Sequence, residues 1–123
     1  MSLATIRDHC LLLVKKKETW ILPGGKPKEN ECDYDCLVRE INEELGDNIT
    51  LLHLIHYGDF VGVTPHKGDR LKNVVMMGEI RGDINPRAEI STAQWCIYTE
   101  ACLLNLSDIT KKIVKRLHQE NYF

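Results

Sequence analysis

The sequence predicts an α/β fold in which a mixed β-sheet is covered on both faces by helices, and three observations lead there. The chain has 123 residues, 43% hydrophobic and 28% charged, the make-up of one globular domain over residues 1–123 that can bury a sizeable core. Short apolar runs bounded by turn residues recur through most of it, the pattern of buried strands. Two segments switch to helical periodicity, one inside the chain and one near its end, and a sheet with two such helices is ordinarily sandwiched between them.

The elements follow in order. His9-Cys-Leu-Leu-Leu-Val14 is an apolar run closed by Lys15-Lys16-Lys17 and reads as a buried strand and its turn. Trp20-Ile-Leu22 reads as a second strand. Pro23-Gly24-Gly25 ends it, because proline lacks a donor and glycine reaches dihedrals that other residues avoid. From about Asp33 to Leu45 the apolar residues Leu37, Ile41 and Leu45 recur at i, i+4 and i+8, and Gly46 stands as a C-terminal stop. Asp33 and Asp35 suit the positive end of that helix, whereas Cys32 sits where Ser or Thr would cap better. Thr50 to Thr64 and Asn73 to Ile80 read as strands separated by the loop Pro65-His-Lys-Gly-Asp-Arg70, and Ala93 to Tyr98 as a further strand. Ser107 is a good N-cap for a last helix with Ile109, Ile113, Val114 and Leu117 on one side and Lys111, Lys112, Lys115 and Arg116 on the other. No repeat, low-complexity tract or linker interrupts this order, and no function is placed on Met1-Ser-Leu3.

Charge and cysteine usage exclude several classes. A formal net charge of −2 supplies no basic face for a nucleic-acid polymer or an anionic membrane, so neither is an expected partner. The five cysteines, Cys10, Cys32, Cys36, Cys96 and Cys102, are odd in number and contain no C-x-x-C, which favours reduced thiols over a disulfide framework or a zinc ribbon. No charged-then-apolar leader opens the chain and no apolar run approaches the ~20 residues of a membrane span. A cytoplasmic location is expected, and oligomeric state has no signature here.

The stretch from Gly24 to Gly46 concentrates Glu29, Glu31, Asp33, Asp35, Glu40, Glu43 and Glu44 against only Lys26, Lys28 and Arg39. At ~100° per residue, Glu40, Glu43 and Glu44 project within an arc of roughly 100°, beside the apolar face of Leu37, Val38, Ile41 and Leu45. Like charges at i, i+4 cost an isolated helix about 0.2–0.5 kcal/mol per pair. Arg39 is adjacent in sequence to the trio rather than stacked on it, so the repulsion calls for another partner. A hard divalent cation such as Mg²⁺ answers it, since it takes oxygen ligands and keeps positions open for water and phosphate. A solvated acidic face answers it as well, and on helix geometry alone both readings stand.

The full spacing is more specific: Gly25, five residues, Glu31, seven residues, Arg39-Glu40-Ile41-Asn42-Glu43-Glu44-Leu45-Gly46. It resembles the Nudix box, G-x5-E-x7-R-E-U-x-E-E-x-G-U with U aliphatic, at every position but the last, where Asp47 stands and Ile49 is the nearby apolar substitute. Trp20-x-Leu-Pro-Gly-Gly-Lys26 is similar to the lead-in of the MutT-like branch, and Glu89, six residues before Trp95, to that branch's acidic loop.

The resemblance implies an α/β/α sandwich whose loop–helix–loop box binds Mg²⁺, with Mn²⁺ as substitute, and hydrolyses a nucleoside diphosphate linked to another group. It implies Glu40, Glu43 and Glu44 as metal ligands with the Gly25 carbonyl, Glu31 and Arg39 as a bracing pair, and Glu43, Glu44 or Glu89 as the catalytic acids. Lys26 is a candidate phosphate contact. Asp108, at the start of the last helix, is a candidate reader of the base, set against the plain role of a helix N-terminal acid.

Val61 and Thr64 stand where ADP-ribose and dinucleoside polyphosphate hydrolases carry a proline and an aromatic, so a MutT-like nucleoside triphosphate pyrophosphohydrolase is the expected activity and nucleotide the expected ligand. A non-catalytic nucleotide sensor is the rival on the same fold, disfavoured by the intact carboxylate set, and an acidic-helix interaction domain the rival outside it. Trp20, Tyr57 and Phe60 are candidates for base stacking, though core packing is the ordinary role of such residues. His9, His53, His56, His66 and His118 show no metal-ligand spacing.

Overall fold

A computed structural model of the chain describes residues 1–63 and 69–123. The elements in order are β1 (Ser2–Ala4), β2 (Ile6–Arg7), β3 (Cys10–Lys16), β4 (Thr19–Ile21), α1 (Asp33–Leu45), β5 (Thr50–Val63), β6 (Arg70–Arg81), β7 (Ile90–Cys96), α2 (Tyr98–Cys102) and α3 (Asp108–Gln119). Among the described residues no helix is long and apolar enough to cross a membrane.

The strands form two sheets rather than the single mixed sheet expected. In one, β1 pairs parallel and β5 antiparallel with β6, so the order is β1-β6-β5. In the other, β3 pairs antiparallel with β2, β4 and β7. Because β7 lies along β3 from Leu11 to Lys16, β2 and β4 share the opposite edge. Thr5 joins the sheets by passing the chain from β1 to β2.

Alternation along β3 builds the layers. Leu11 and Leu13 point into a core shared with Phe60, Val75, Leu106 and the α3 residues Ile109, Ile113, Val114 and Leu117. Leu12 and Val14 point the other way, into a core with Leu37, Ile41 and Leu45 of α1. Successive strand side chains face opposite sides, so one strand serves both cores and the arrangement is an α/β/α sandwich. Trp20 and Phe60 are buried in the α3-side core, which gives them the packing role.

Both main helices begin and end for the expected reasons. The Cys32 Sγ accepts from the Asp35 N–H (3.5 Å) as a weak cap, and Gly46 ends α1 with φ of 118° while its N–H reaches the Asn42 carbonyl. Ser107 caps α3 by accepting from the Thr110 N–H (3.2 Å). Ile49 is buried against α1's core, filling the apolar role that Asp47 cannot; Asp47 is exposed and pairs with Arg87 (2.9 Å).

Several boundaries differ from expectation. β1 and β2 carry too few residues for a periodicity and were not anticipated; β1 is a strand because β6 offers it a parallel edge. The last strand is Ile90–Cys96, not Ala93 to Tyr98, since Tyr98 opens the short helix α2, whose entry is held by the Glu100 carboxylate accepting from the Ile97 N–H (3.0 Å). Lys15 and Lys16 belong to β3, and the turn starts at Lys17, with φ of 55°. Thr64 and the loop residues Pro65 to Gly68 lie outside the described residues, as does the expectation on His66.

Candidate active site

The box residues come together where the Pro23-Gly24-Gly25 turn meets α1. The Gly24 N–H donates to Glu44 Oε1 (2.9 Å). A Cβ on Gly25 would overlap the carboxylate of Glu40, so a glycine is required there for Glu40 to approach the turn. The Gly25 carbonyl accepts from the Met1 amino group (3.0 Å) and from the Cys36 thiol (3.9 Å).

Arg39 organises the opposite side. Its Nε and Nη2 donate to the two oxygens of Glu31 (2.8 and 2.9 Å), a fork that fixes both planes. Nη2 also donates to the Lys26 carbonyl (3.0 Å), and Glu31 accepts from the Lys28 N–H (2.9 Å), so the pair ties loop 26–31 to the helix. This network holds the Glu31 carboxyl down at about 2, through Arg39 first and the Lys28 N–H second, and raises the Arg39 guanidinium further. One expectation is corrected here: Arg39 does offset two of the acidic trio, because Nη1 reaches Glu40 (2.6 Å) and Glu43 (3.4 Å). Its long side chain folds along the helix, a reach that sequence adjacency conceals.

Glu44 stands apart. No ion pair among the described residues includes it, and burial pushes its carboxyl up to about 7, with the Gly24 N–H opposing, Glu40 adding to the rise, Lys16 opposing and Glu43 adding. A half-buried carboxylate without a contacting cation, beside a second carboxylate cradled by a glycine, is an all-oxygen donor set suited to a hard divalent ion. As their side chains stand, no three His, Cys, Asp or Glu groups among the described residues enclose a metal; Glu40 and Glu43 are turned toward Arg39.

The outlying candidates divide. Glu89 lies in the exposed turn before β7, where the loop is pinned to the end of α1: the Arg87 N–H donates to the Glu44 carbonyl (2.9 Å) and the Asn85 N–H to the Leu45 carbonyl (2.7 Å). These bonds satisfy carbonyls that a helix end leaves free, and they bring the Glu89 loop to the box helix. The Glu89 carboxylate pairs with Lys16 Nζ (2.9 Å), which holds its carboxyl below the usual range. The Lys26 side chain is exposed. Asp108 lies at the far end of β5, where Oδ2 accepts from the Val63 N–H (3.0 Å), while Lys112 Nζ donates to the Val61 carbonyl (2.7 Å). Asp108 and Lys112 thus cap two outward backbone groups of an edge strand. Tyr57 is stacked on Phe60, bonded to Glu120 and covered by the Arg116 guanidinium (5.1 Å).

Lys16 was not singled out in the sequence, where it reads as one lysine of a turn. Only the extension of β3 and its pairing with Ile90 of β7 place its ammonium beside Glu89.

Residues 3–117 match the NUDIX domain family, and the chain belongs to that family. Its fold is similar to a MutT NUDIX hydrolase from Burkholderia pseudomallei, with TM-score 0.82, 23% identity and 94% of each chain covered. It is similar as well to a MutT protein from Methanosarcina mazei Go1, with TM-score 0.79, 19% identity, and 99% of this chain and 93% of that one covered. In sequence it is 29% identical over 93 residues to mRNA decapping complex subunit 2 of Schizosaccharomyces pombe, a match that takes in 72% of this chain and 12% of that protein. The chain therefore spans only a small part of that relative's length.

Proposed function

We propose that this protein is a divalent-metal-dependent pyrophosphohydrolase that cleaves a nucleoside triphosphate to the monophosphate and pyrophosphate, with Mg²⁺ as its ion and Mn²⁺ as a substitute. The observation that carries this reading is the Gly24–Gly25 turn with two carboxylates on it, Glu44 on the Gly24 N–H and Glu40 against Gly25. Glu40, Glu43, Glu44 and the Gly25 carbonyl are the groups that would hold the metal. When bound, such an ion neutralises phosphate charge and makes a coordinated water easier to deprotonate.

The chain's own residues supply the rest. Glu31 and Arg39 fix loop 26–31 against α1, and the exposed Lys26 on that braced loop would contact a phosphate. Glu44, on the Gly24 N–H, and Glu89, on the loop pinned to the Glu44 carbonyl, are the acids that would take the proton of the attacking water. The cytoplasm is the compartment that holds such substrates together with free thiols.

A second reading has two sequence similarities in its favour. The similarity to a decapping subunit, and 59% identity over 27 residues to the mRNA-decapping protein g5R of African swine fever virus, favour a nucleoside diphosphate linked to an RNA 5′ end over a free triphosphate. Nucleoside triphosphates, oxidised nucleotides, ADP-ribose, dinucleoside polyphosphates and a short capped RNA, each assayed with and without Mg²⁺, separate the readings. Metal-dependent release of pyrophosphate and nucleoside monophosphate from a triphosphate is the expected result. Preferred cleavage of the capped RNA selects the second reading, and no metal-dependent turnover of any of them overturns both.

A further inference from the structure

We propose that Lys16 is a positioning residue of this site, a cation on β3 that holds Glu89 against the box helix. The inference rests on the hydrolase reading above and adds to it a residue outside the box and its loop.

Three geometric facts carry it. Lys16 follows Leu12 and Val14, both in the α1-side core, at the two-residue spacing that continues their face, although the ladder shifts register at Lys15/Lys16. Its Nζ lies 2.9 Å from Glu89 Oε2. The Glu89 loop is already tethered at its other side by the Arg87 N–H on the Glu44 carbonyl (2.9 Å), and the Ile90 N–H closes the turn on the Arg87 carbonyl (3.0 Å). Two anchors, one on α1 and one on β3, thus fix the segment between them.

The pair adds little to stability, because the Lys16 and Glu89 side chains are 44% and 71% exposed and exposed pairs are worth little in water. What it restricts is where Glu89 points. An acid in an exposed turn samples many rotamers, and a mispositioned group forfeits rate even when the fold is intact. Lysine supplies this hold as a compact charge at the end of a flexible stem, and arginine has the reach to replace it.

Lys16→Gln, Lys16→Arg, Glu89→Gln and the Lys16→Gln/Glu89→Gln double variant test this through two measurements. The first is amide hydrogen exchange at Ile90, with no substrate or metal present. Lys16→Gln should speed it about two- to fivefold, the span an exposed ion pair supports, and Lys16→Arg should restore it. The second is kcat on the substrate found by the screen above, where the single losses should fail to multiply: the double variant falls no further than Glu89→Gln alone, and Lys16→Arg recovers most of the rate. Unchanged exchange in Lys16→Gln, or a double variant whose loss is the product of the single losses, overturns the proposal. Absence of turnover in the wild-type protein would instead remove the hydrolase reading, and the exchange measurement would still decide whether Lys16 holds the loop.

Discussion

The Gly24 backbone N–H donates to the Glu44 carboxylate at 2.9 Å across 20 residues of sequence, so the turn after β4 and the last turn of the acidic helix are fastened to each other. Glu44 is half-buried there, and burial raises its carboxyl to about 7 against the opposing pull of that bond. Glu44→Gln keeps an acceptor for the Gly24 N–H while removing the charge. Turnover is expected to fall by at least about a hundredfold, the scale of losing a general base, while the melting temperature at pH 8 does not drop, because the charge removed is one that burial disfavours. Glu43→Gln should likewise lose turnover with the fold intact. Near wild-type rates in both variants at saturating Mg²⁺ would refute the metal assignment.

Gly25→Ala places a methyl group where the Glu40 carboxylate now lies. The contact is with the end of a flexible side chain, so the fold absorbs it by moving Glu40. The expected outcome is a loss of metal affinity, read by calorimetric titration of Mg²⁺ or Mn²⁺, that exceeds the loss of thermal stability. A variant that binds metal as the parent does would show that Glu40 is not a ligand.

The Glu31–Arg39 fork makes a pH prediction whose sign follows from the lowered carboxyl. The Arg39 guanidinium holds the Glu31 carboxyl at about 2 in the folded protein, against 4.5 for a free glutamate side chain. The folded state therefore binds fewer protons than the unfolded state between those values, so stability rises with pH across that window and the pair's contribution is complete above it. Acid titration of the melting temperature should show this slope in the parent and a shallower one in Glu31→Gln, which should also melt lower at pH 7. Parallel curves would mean that the pair does not stabilise the loop.

Asp108→Ala discriminates two roles for the acid at the start of α3. Its Oδ2 occupies the Val63 N–H and lies 3.5 Å from Lys112, so removal uncovers the outward edge of β5. A lower melting temperature with unchanged base preference is expected. A changed order of preference among nucleoside triphosphates would restore Asp108 as a reader of the base.

Local pattern made much of this protein legible before any coordinates. The spacing of Leu37, Ile41 and Leu45 located α1 from Asp33 to Leu45, and Ser107 marked the start of α3, since helix periodicity and caps act within a few residues. The spacing from Gly25 to Gly46 likewise marked the Glu31–Arg39 pair and the acidic helix face, because each member lies within reach of a short loop or one helix surface. What could not be read locally depends on partners distant in sequence or on which way a side chain turns. Ser2–Ala4 is a strand only because β6 lies beside it; Tyr98 turns from strand to helix through a bond between Ile97 and Glu100 that propensity does not reveal. Arg39 reaches Glu40 and Glu43 through side-chain conformation, and Lys16 meets Glu89 because β3 pairs with β7. Strand pairing is a long-range choice, settled by which surfaces the packed layers leave facing one another, and no short stretch of sequence contains both halves of it; side-chain direction within a turn is a choice among rotamers that residue type alone does not make.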